Sequence, residues 1–210
     1  MKSTIIAVGG FTSNSGKTTL MCELLRALPG WEAIKMTRGH YRSCGRDPHA
    51  CCVSHLLGDE PVVRSGRAET FAPGKDTGRY WDAGASNVHW AIVTDAQVGE
   101  AINRALERVE SPGVLIEGNS HLKHIDADFT VMVARPDELK IKPSARRALA
   151  KTSALYLSSE CIGDGAKGEG FKEWREQTGL GEVLARLPVY TPASLDALIA
   201  RIKSLTGVGP

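Results

Sequence analysis

The feature that most constrains this chain is a run of small residues lodged between two apolar segments. Residues 3 to 8, Ser-Thr-Ile-Ile-Ala-Val, have the length and β-branched content of a short buried strand. They lead straight into Gly9-Gly10-Phe11-Thr12-Ser13-Asn14-Ser15-Gly16-Lys17-Thr18-Thr19. From residue 17 to 28, Leu20, Met21, Leu24, Leu25 and Leu28 recur on one helical face. Strand, glycine-bearing turn and helix in that order present consecutive backbone N–H groups and a helix N-terminus to an anion.

Within that nest Gly10, Thr12, Ser13, Asn14, Ser15 and Gly16 are expected to curl around phosphate oxygens, with Thr19 as a secondary contact. Lys17 would bridge the outer phosphates of a nucleoside triphosphate as a point charge, and the Thr18 hydroxyl would ligate magnesium. The spacing departs from the common pattern, in which the first glycine stands five residues before the second. Phe11 occupies that place, and Gly10 lies six before. Magnesium bound to phosphate also needs a carboxylate from the end of a nearby strand. Val114-Leu115-Ile116-Glu117-Gly118 offers one, so Glu117 is expected to hold the metal through water or to orient an attacking water. Lys17 and Glu117 are the candidate catalytic pair.

The rest of the chain repeats the strand-helix alternation. Strands are expected at Glu32 to Met36, Val88 to Val93, Val114 to Ile116, Thr130 to Ala134, Ala154 to Leu157 and Leu187 to Tyr190. Amphipathic helices are expected at 96 to 110, with Val98, Ile102, Ala105, Leu106 and Val109 inward, and at the C-terminal end through Leu195, Leu198, Ile199, Ile202 and Leu205. The pattern predicts an α/β, three-layer fold: a mostly parallel sheet with helices on both faces and its ligand at the carboxyl ends of the strands. Residues 37 to 75, rich in Gly, Arg, Cys and His, are expected to form an irregular insertion or lid, with a short helix after Asp47-Pro48. At 210 residues the whole chain suits one domain, 1–210.

A formal net charge of +2 with no Lys/Arg block argues against a nucleic-acid or membrane partner. The apolar N-terminal run of about six residues is too short for a signal core or a span, which points to the cytoplasm. Five cysteines, an odd count, then suggest thiol or metal chemistry rather than disulfides. His40, Cys44, His49, Cys51, Cys52 and His55 lie within sixteen residues. Cys44, Cys51, Cys52 and His55 form a candidate second metal site for zinc or an iron-sulfur cluster, although the spacing lacks paired Cys-x2-Cys knuckles; reduced thiols in a surface loop are the alternative. His121 and His124 either reach the cleft or pack. Cys22 is expected to pack in the first helix.

With the phosphate loop and Glu117 in place, the order of features resembles the molybdopterin-guanine dinucleotide biosynthesis adapter family. That family belongs to the P-loop NTPase group that includes dethiobiotin synthetase, cobyrinic acid amide synthases and MinD-like ATPases. Four stretches carry the resemblance: Gly10 to Leu20; Ala33-Ile34-Lys35; Gly74-Lys75-Asp76-Thr77-Gly78-Arg79 through Asp82-Ala83-Gly84-Ala85; and Ile116-Glu117-Gly118. A loop one residue longer is also seen in dethiobiotin synthetase. The resemblance implies that Lys17 and Thr18 bind GTP and Mg2+, that Glu117 completes the metal site, and that hydrolysis is slow and serves molybdenum cofactor maturation. It further implies a guanylyltransferase partner protein and a homodimer. Lys35 would face the phosphates or a second ligand, or else lie on the surface. Asp76 and Arg79 would sit near the nucleotide or at a subunit contact; alternatively Asp76 caps a helix and Arg79 is solvated.

GTP over ATP rests on the resemblance, since no Asn-Lys-x-Asp tetrapeptide occurs and Ser158-Ser159-Glu160 does not identify a base. No arginine finger is evident beyond Arg38, Arg42 and Arg46 in the expected lid. The family pattern needs neither the cysteines nor the 37 to 75 segment, so two other readings stand. One is an ATP-dependent small-molecule kinase or ligase similar to dethiobiotin synthetase, its acceptor bound by Lys35 and the 37 to 75 segment. The other is a metallochaperone NTPase that delivers metal through the cysteine cluster.

Overall fold

The computed structural model of the chain describes residues 3–39, 53–158 and 169–206. Its strands are β1 (Thr4–Gly10), β2 (Glu32–Arg38), β3 (Val62–Ser65), β4 (Val88–Val93), β5 (Gly113–Glu117), β6 (Phe129–Ala134), β7 (Ala154–Leu157) and β8 (Val189–Tyr190). They form one sheet in the order β3-β4-β2-β5-β1-β6-β7-β8. Every neighbouring pair is parallel except β3 with β4. Parallel strands covered on both faces read as continuous apolar runs, and β5 and β6 are buried along their whole length.

The pleat sends alternate residues of β1 to opposite layers. Ile6 and Val8 pack with α1 (Lys17–Ala27), α3 (Asp76–Asp82) and α8 (Leu195–Lys203) through Leu20, Leu24, Tyr80, Leu198 and Ile202. Ile5 joins a cluster on the other face with α4 (Val98–Leu106), through Val98, Ala101, Ile102 and Ala105. Ala7 joins a second cluster there, with α5 (Pro143–Ala148), α6 (Glu169–Gln177) and α7 (Gly181–Ala185), through Ala145, Phe171, Trp174 and Leu184. Each fully buried Leu or Ile contributes about 1.5–3 kcal/mol from removed apolar surface. These layers fix β1, and with it the loop that follows.

The chain after β1 crosses to β2, leaving room for β5 between them, and β6 takes the far side of β1. That reversal opens a crevice at the carboxyl ends of β1 and β5, where open α/β sheets hold ligands. Among the described residues no helix is long and apolar enough to cross a membrane.

The expected strands and the two amphipathic helices occur within a few residues of their predicted limits. Among the described residues of the segment expected to be irregular, four parts are regular, one of them a 3-10 turn at Ser54–Leu56. β2 runs on to Arg38, Val62–Ser65 is an antiparallel edge strand, and α2 (Arg67–Thr70) follows it. β3 is half-buried throughout and has only two apolar residues, so its pattern is weak. Its outer edge is covered by Arg108, which donates to Val63 O at 2.7 Å, and Arg64 stacks over Trp90. The short helix expected after Asp47-Pro48 lies outside the described residues. The short helices α3, α5, α6 and α7 were not expected from periodicity.

Candidate functional site

Two glycines shape the turn after β1. Gly16, at the N-terminus of α1, has φ +93°, a left-handed conformation that costs a side-chain-bearing residue about 1–2 kcal/mol. At Gly10 the constraint is space. A Cβ there would run into Ser15 Oγ and come within 2.8 Å of the Lys17 chain. Gly10 thus serves the close approach that a glycine at position 11 serves in the common spacing.

Phe11 can therefore be large. Its N–H donates to Val133 O and its carbonyl accepts from Lys142 N, both at 2.9 Å, while its buried ring stacks 6.0 Å from Trp174. The extra residue anchors the loop in the layer that holds α6. Gly10 is pinned from the other side by Asn119, whose amide accepts from Gly10 N and donates to Gly10 O, each at 2.9 Å.

The Lys17 ammonium curls back over the loop, donating to Thr12 O at 2.7 Å, Ser13 O at 3.1 Å and Ser15 Oγ at 3.4 Å. Burial lowers its pKa; the Glu117 charge opposes this, and Lys35 and Lys142 add to it. Ser15 is wholly buried, Thr12 donates to Glu138 Oε2 at 2.9 Å, and Ser13 Oγ is held by Lys142. Asn14 and Thr19 are exposed. They line a separate cavity of about 450 Å³ with Gly16, Arg135, Tyr156 and Ser158, on the β7 side of the loop.

At the mouth of the nest Glu117 is 4% exposed, not a solvated acid at a strand end. One carboxylate oxygen accepts from Thr18 Oγ1 at 3.0 Å and from the Tyr80 hydroxyl; the other accepts from Lys35 Nζ at 2.7 Å. Lys35, paired with Glu117 in the β2·β5 register, also meets Asp76 Oδ2 at 2.5 Å. It is an interior bridge and not a surface lysine. Burial disfavours its charge, yet Glu117 and the hydrogen bonds of Asp76 and Glu117 carry its pKa above the ordinary value. Burial would raise the Asp76 carboxyl; Lys35 and Thr18 overturn this and hold it below the ordinary value. Asp76 is the first residue of α3, whose N-cap is Lys75, and its carboxylate is engaged by Lys35 and Thr18 rather than in capping the helix. Tyr80, one turn on, is fully buried, and burial with the adjacent Glu117 pushes its phenol well above the ordinary pKa. Arg79 is exposed on the same helix.

Lys17, Lys35, Asp76, Glu117 and Lys142 converge on one cleft of about 410 Å³. Thr18 Oγ1, Glu117 and Asp76 are an all-oxygen donor set of the kind magnesium takes, and Lys35 already stands as a cation between the two carboxylates. Two carboxylates suffice when phosphates supply the remaining oxygens. Among the described residues no group of three His, Cys, Asp or Glu side chains could hold a metal alone. Of the candidate second metal site, Cys44, Cys51 and Cys52 lie outside the described residues, as do His40, His49, Arg42, Arg46, Ser159, Glu160 and Cys161; His55 is exposed. His121 is wholly buried in the turn after β5, His124 is exposed, and Cys22 is buried with its thiol 3.6 Å from Arg79 O.

Sequence reasoning missed Asn119, Tyr80, Lys142 and Glu138. Asn119 alone carried a signal, standing two residues beyond Glu117 at a strand end; the others come from elements distant in the chain.

No protein-family model matches the sequence, and no curated protein matches it. Solved structures do match in fold. HypB from Helicobacter pylori, in complex with nickel, superposes with a TM-score of 0.53 at 14% identity, covering 98% of this chain and 88% of that one. The hydrogenase maturation factor HypB from Archaeoglobus fulgidus gives 0.55 at 8% identity, over 98% and 91% of the two chains. At such identities the likeness speaks for architecture, and it agrees with the sheet order and the loop geometry: this is the three-layer α/β P-loop fold, a mostly parallel sheet with helices on both faces.

Proposed function

We propose that residues 1–210 form one nucleotide-binding domain that takes a nucleoside triphosphate with Mg2+ in the cleft between β1 and β5 and hydrolyses it slowly. The observation that carries this reading is the meeting of Lys17, Thr18 and Glu117 around a glycine-lined anion nest. Gly10, Thr12, Ser13, Asn14, Ser15, Gly16 and Thr19 would surround the phosphates, and Lys35 would stand beside the terminal one. When bound, magnesium supplies charge neutralisation for the phosphates. Thr18, Glu117 and Asp76 would hold it, and Lys17 would swing from the loop carbonyls to the phosphate oxygens. Slow turnover fits Arg38, the one arginine that lines the cleft among the described residues, being paired with Asp95 at 2.6 Å.

GTP is the favoured nucleotide, and an adapter role beside a guanylyltransferase in molybdenum cofactor biosynthesis the favoured setting. The support is the resemblance through Gly74 to Ala85, whose Asp76 and Tyr80 reach Glu117 and its partners. The test is a thermal-shift panel of ATP and GTP with and without Mg2+. GTP at a hundred times its dissociation constant is expected to add about 2.7 kcal/mol, and Lys17→Ala to abolish the effect. A shift with ATP alone would remove the adapter reading. A metallochaperone role is a second reading, favoured by the fold likeness to an HypB solved with nickel. It requires the purified protein to carry zinc, nickel or iron that Cys51→Ser loses.

A further inference from the structure

The phosphate cleft does not end at Asn119. A second cavity of about 300 Å³ opens beside it, floored by Val98, Leu122 and Ala148. Arg38, Asn119, Ser120 and Ser144 line both cavities, so the two share a wall. The shared wall is on the Lys35 and Glu117 side of the loop, away from the cavity that Tyr156 and Ser158 line.

Charge decides what such a cavity takes. Its lining holds four fixed cations, Arg38, Lys123, Arg147 and Lys151, against a single acid, Asp95. Two of the cations are committed: Arg38 to Asp95 at 2.6 Å, and Lys151 to Asp126 at 2.7 Å and Ile125 O at 3.1 Å. Lys123 and Arg147 have no acidic partner among the described residues. They come from different elements, Lys123 from the single turn after β5 and Arg147 from α5. Both residues are exposed, and the two segments that carry them are packed separately through Leu122 and through Ala145 and Ala148. Uncompensated cations that line one cavity repel, and an oxyanion among them would relieve that repulsion and could take hydrogen bonds from Ser120 and Ser144. A volume of 300 Å³ suits a small metabolite and is too small for a folded segment of another chain.

We propose that this cavity binds a small organic oxyanion, a carboxylate- or phosphate-bearing co-substrate, beside the terminal phosphate of the nucleotide. The proposal rests on the nucleotide reading only for what occupies the neighbouring cleft. Arg38 belongs to the 37 to 75 segment, where with Lys35 the sequence suggested an acceptor would bind; the other three cations, Lys123, Arg147 and Lys151, come from outside that segment.

The experiment is calorimetry with citrate and with inorganic phosphate as probes, on the parent protein, Lys17→Ala and the double variant Lys123→Glu/Arg147→Glu. It is run first without nucleotide and then with the phosphate loop filled by a nonhydrolysable GTP or ATP analogue and Mg2+. Saturable binding of at least one probe is expected that survives both Lys17→Ala and the filled loop. The double variant should weaken it at least tenfold while holding its affinity for the nucleotide analogue. Binding that Lys17→Ala abolishes and the double variant keeps would place the anion in the phosphate loop and overturn the proposal, leaving the nucleotide reading intact. Binding equal in all three proteins, or saturable binding in none, also overturns it. If the analogue fails to bind any of them, the nucleotide reading falls, and the arm without nucleotide still decides this site by the same comparison.

Discussion

Two glutamates on adjacent strands are almost equally buried and have opposite characters. Glu32 begins β2 and is 3% exposed; Glu117 ends β5 and is 4% exposed. At Glu32 the partners are fixed: the backbone N–H groups of Glu110 and Ser111 donate at 2.9 Å, and His89, itself bonded to Ser65, lies 2.6 Å away. At Glu117 they are side chains, Thr18, Tyr80 and Lys35, and the carboxylate opens on a cleft. A buried acid closed by main chain is part of the framework. One held by side chains at a cavity can exchange those partners for a ligand.

That contrast can be broken by mutation. The largest expected effect is at the closed site. Glu32→Ala leaves His89 and two N–H groups without their acceptor and should cost about 3–5 kcal/mol in urea unfolding. The phosphate loop is remote, so nucleotide affinity of the folded protein should stay within about twofold. If Glu32→Ala instead weakens nucleotide binding strongly, the two ends of the sheet are coupled and the contrast fails. At the open site, Glu117→Gln should do the reverse: Mg2+-dependent turnover falling roughly 10²-fold, with stability changed by less than about 2 kcal/mol. Equal loss of stability in the two variants would make Glu117 a framework residue.

Tyr80→Phe sharpens the comparison, because it removes one donor to Glu117 and adds no group. We expect a cost of about 1.5–3 kcal/mol, the range for a hydrogen bond to a charged group, together with weaker Mg2+ dependence in single-turnover assays. The smallest effect separates the two buried histidines. His89 has both ring nitrogens engaged, whereas among the described residues the ring nitrogens of His121 have no hydrogen-bond partner, and burial lowers its pKa to about 3. The unfolded chain then takes up the proton first. Protonation of His121 therefore costs no stability above about pH 6.5, and stability falls as pH drops from there toward 3, by at most about 1.4 kcal/mol per unit. Denaturation at pH 7 and 5.5 should show this loss, and His121→Leu should remove it. Asp76 adds a second acid limb. Its depressed pKa gives stability that is present above the ordinary carboxyl value and lost as pH falls through its own lower one.

The legible part of the site was the part contiguous in sequence. Gly10 to Thr19 and Ile116 to Gly118 each carry their chemistry within one strand end, so spacing alone singles them out. Tyr80 was not legible, because a tyrosine on a short helix is unremarkable until the fold brings it to Glu117; Asn119 had only its place after β5 to mark it, and its bonds to Gly10 are made by the fold. Lys35 was half legible. Its place at a strand end was clear, but whether it faced solvent or the interior depended on the β2·β5 register and on Asp76 across the cleft. Phe11 was legible only as a departure from the common spacing, and the ring of Trp174 on which it stacks comes from a remote helix. β3 was hidden because a half-covered edge strand has no strong alternation to betray it.

By itself the sequence determined the alternation of buried strands with amphipathic helices, the nest before α1 and the acid at the end of β5. Local backbone geometry and hydrophobic periodicity act over a few residues and leave a mark at that range. Tertiary structure alone decided which carboxylate is closed and which is open, which lysine bridges two acids, and which cations line one cavity. Those outcomes depend on burial and on partners brought together from remote segments, and both are properties of the folded packing.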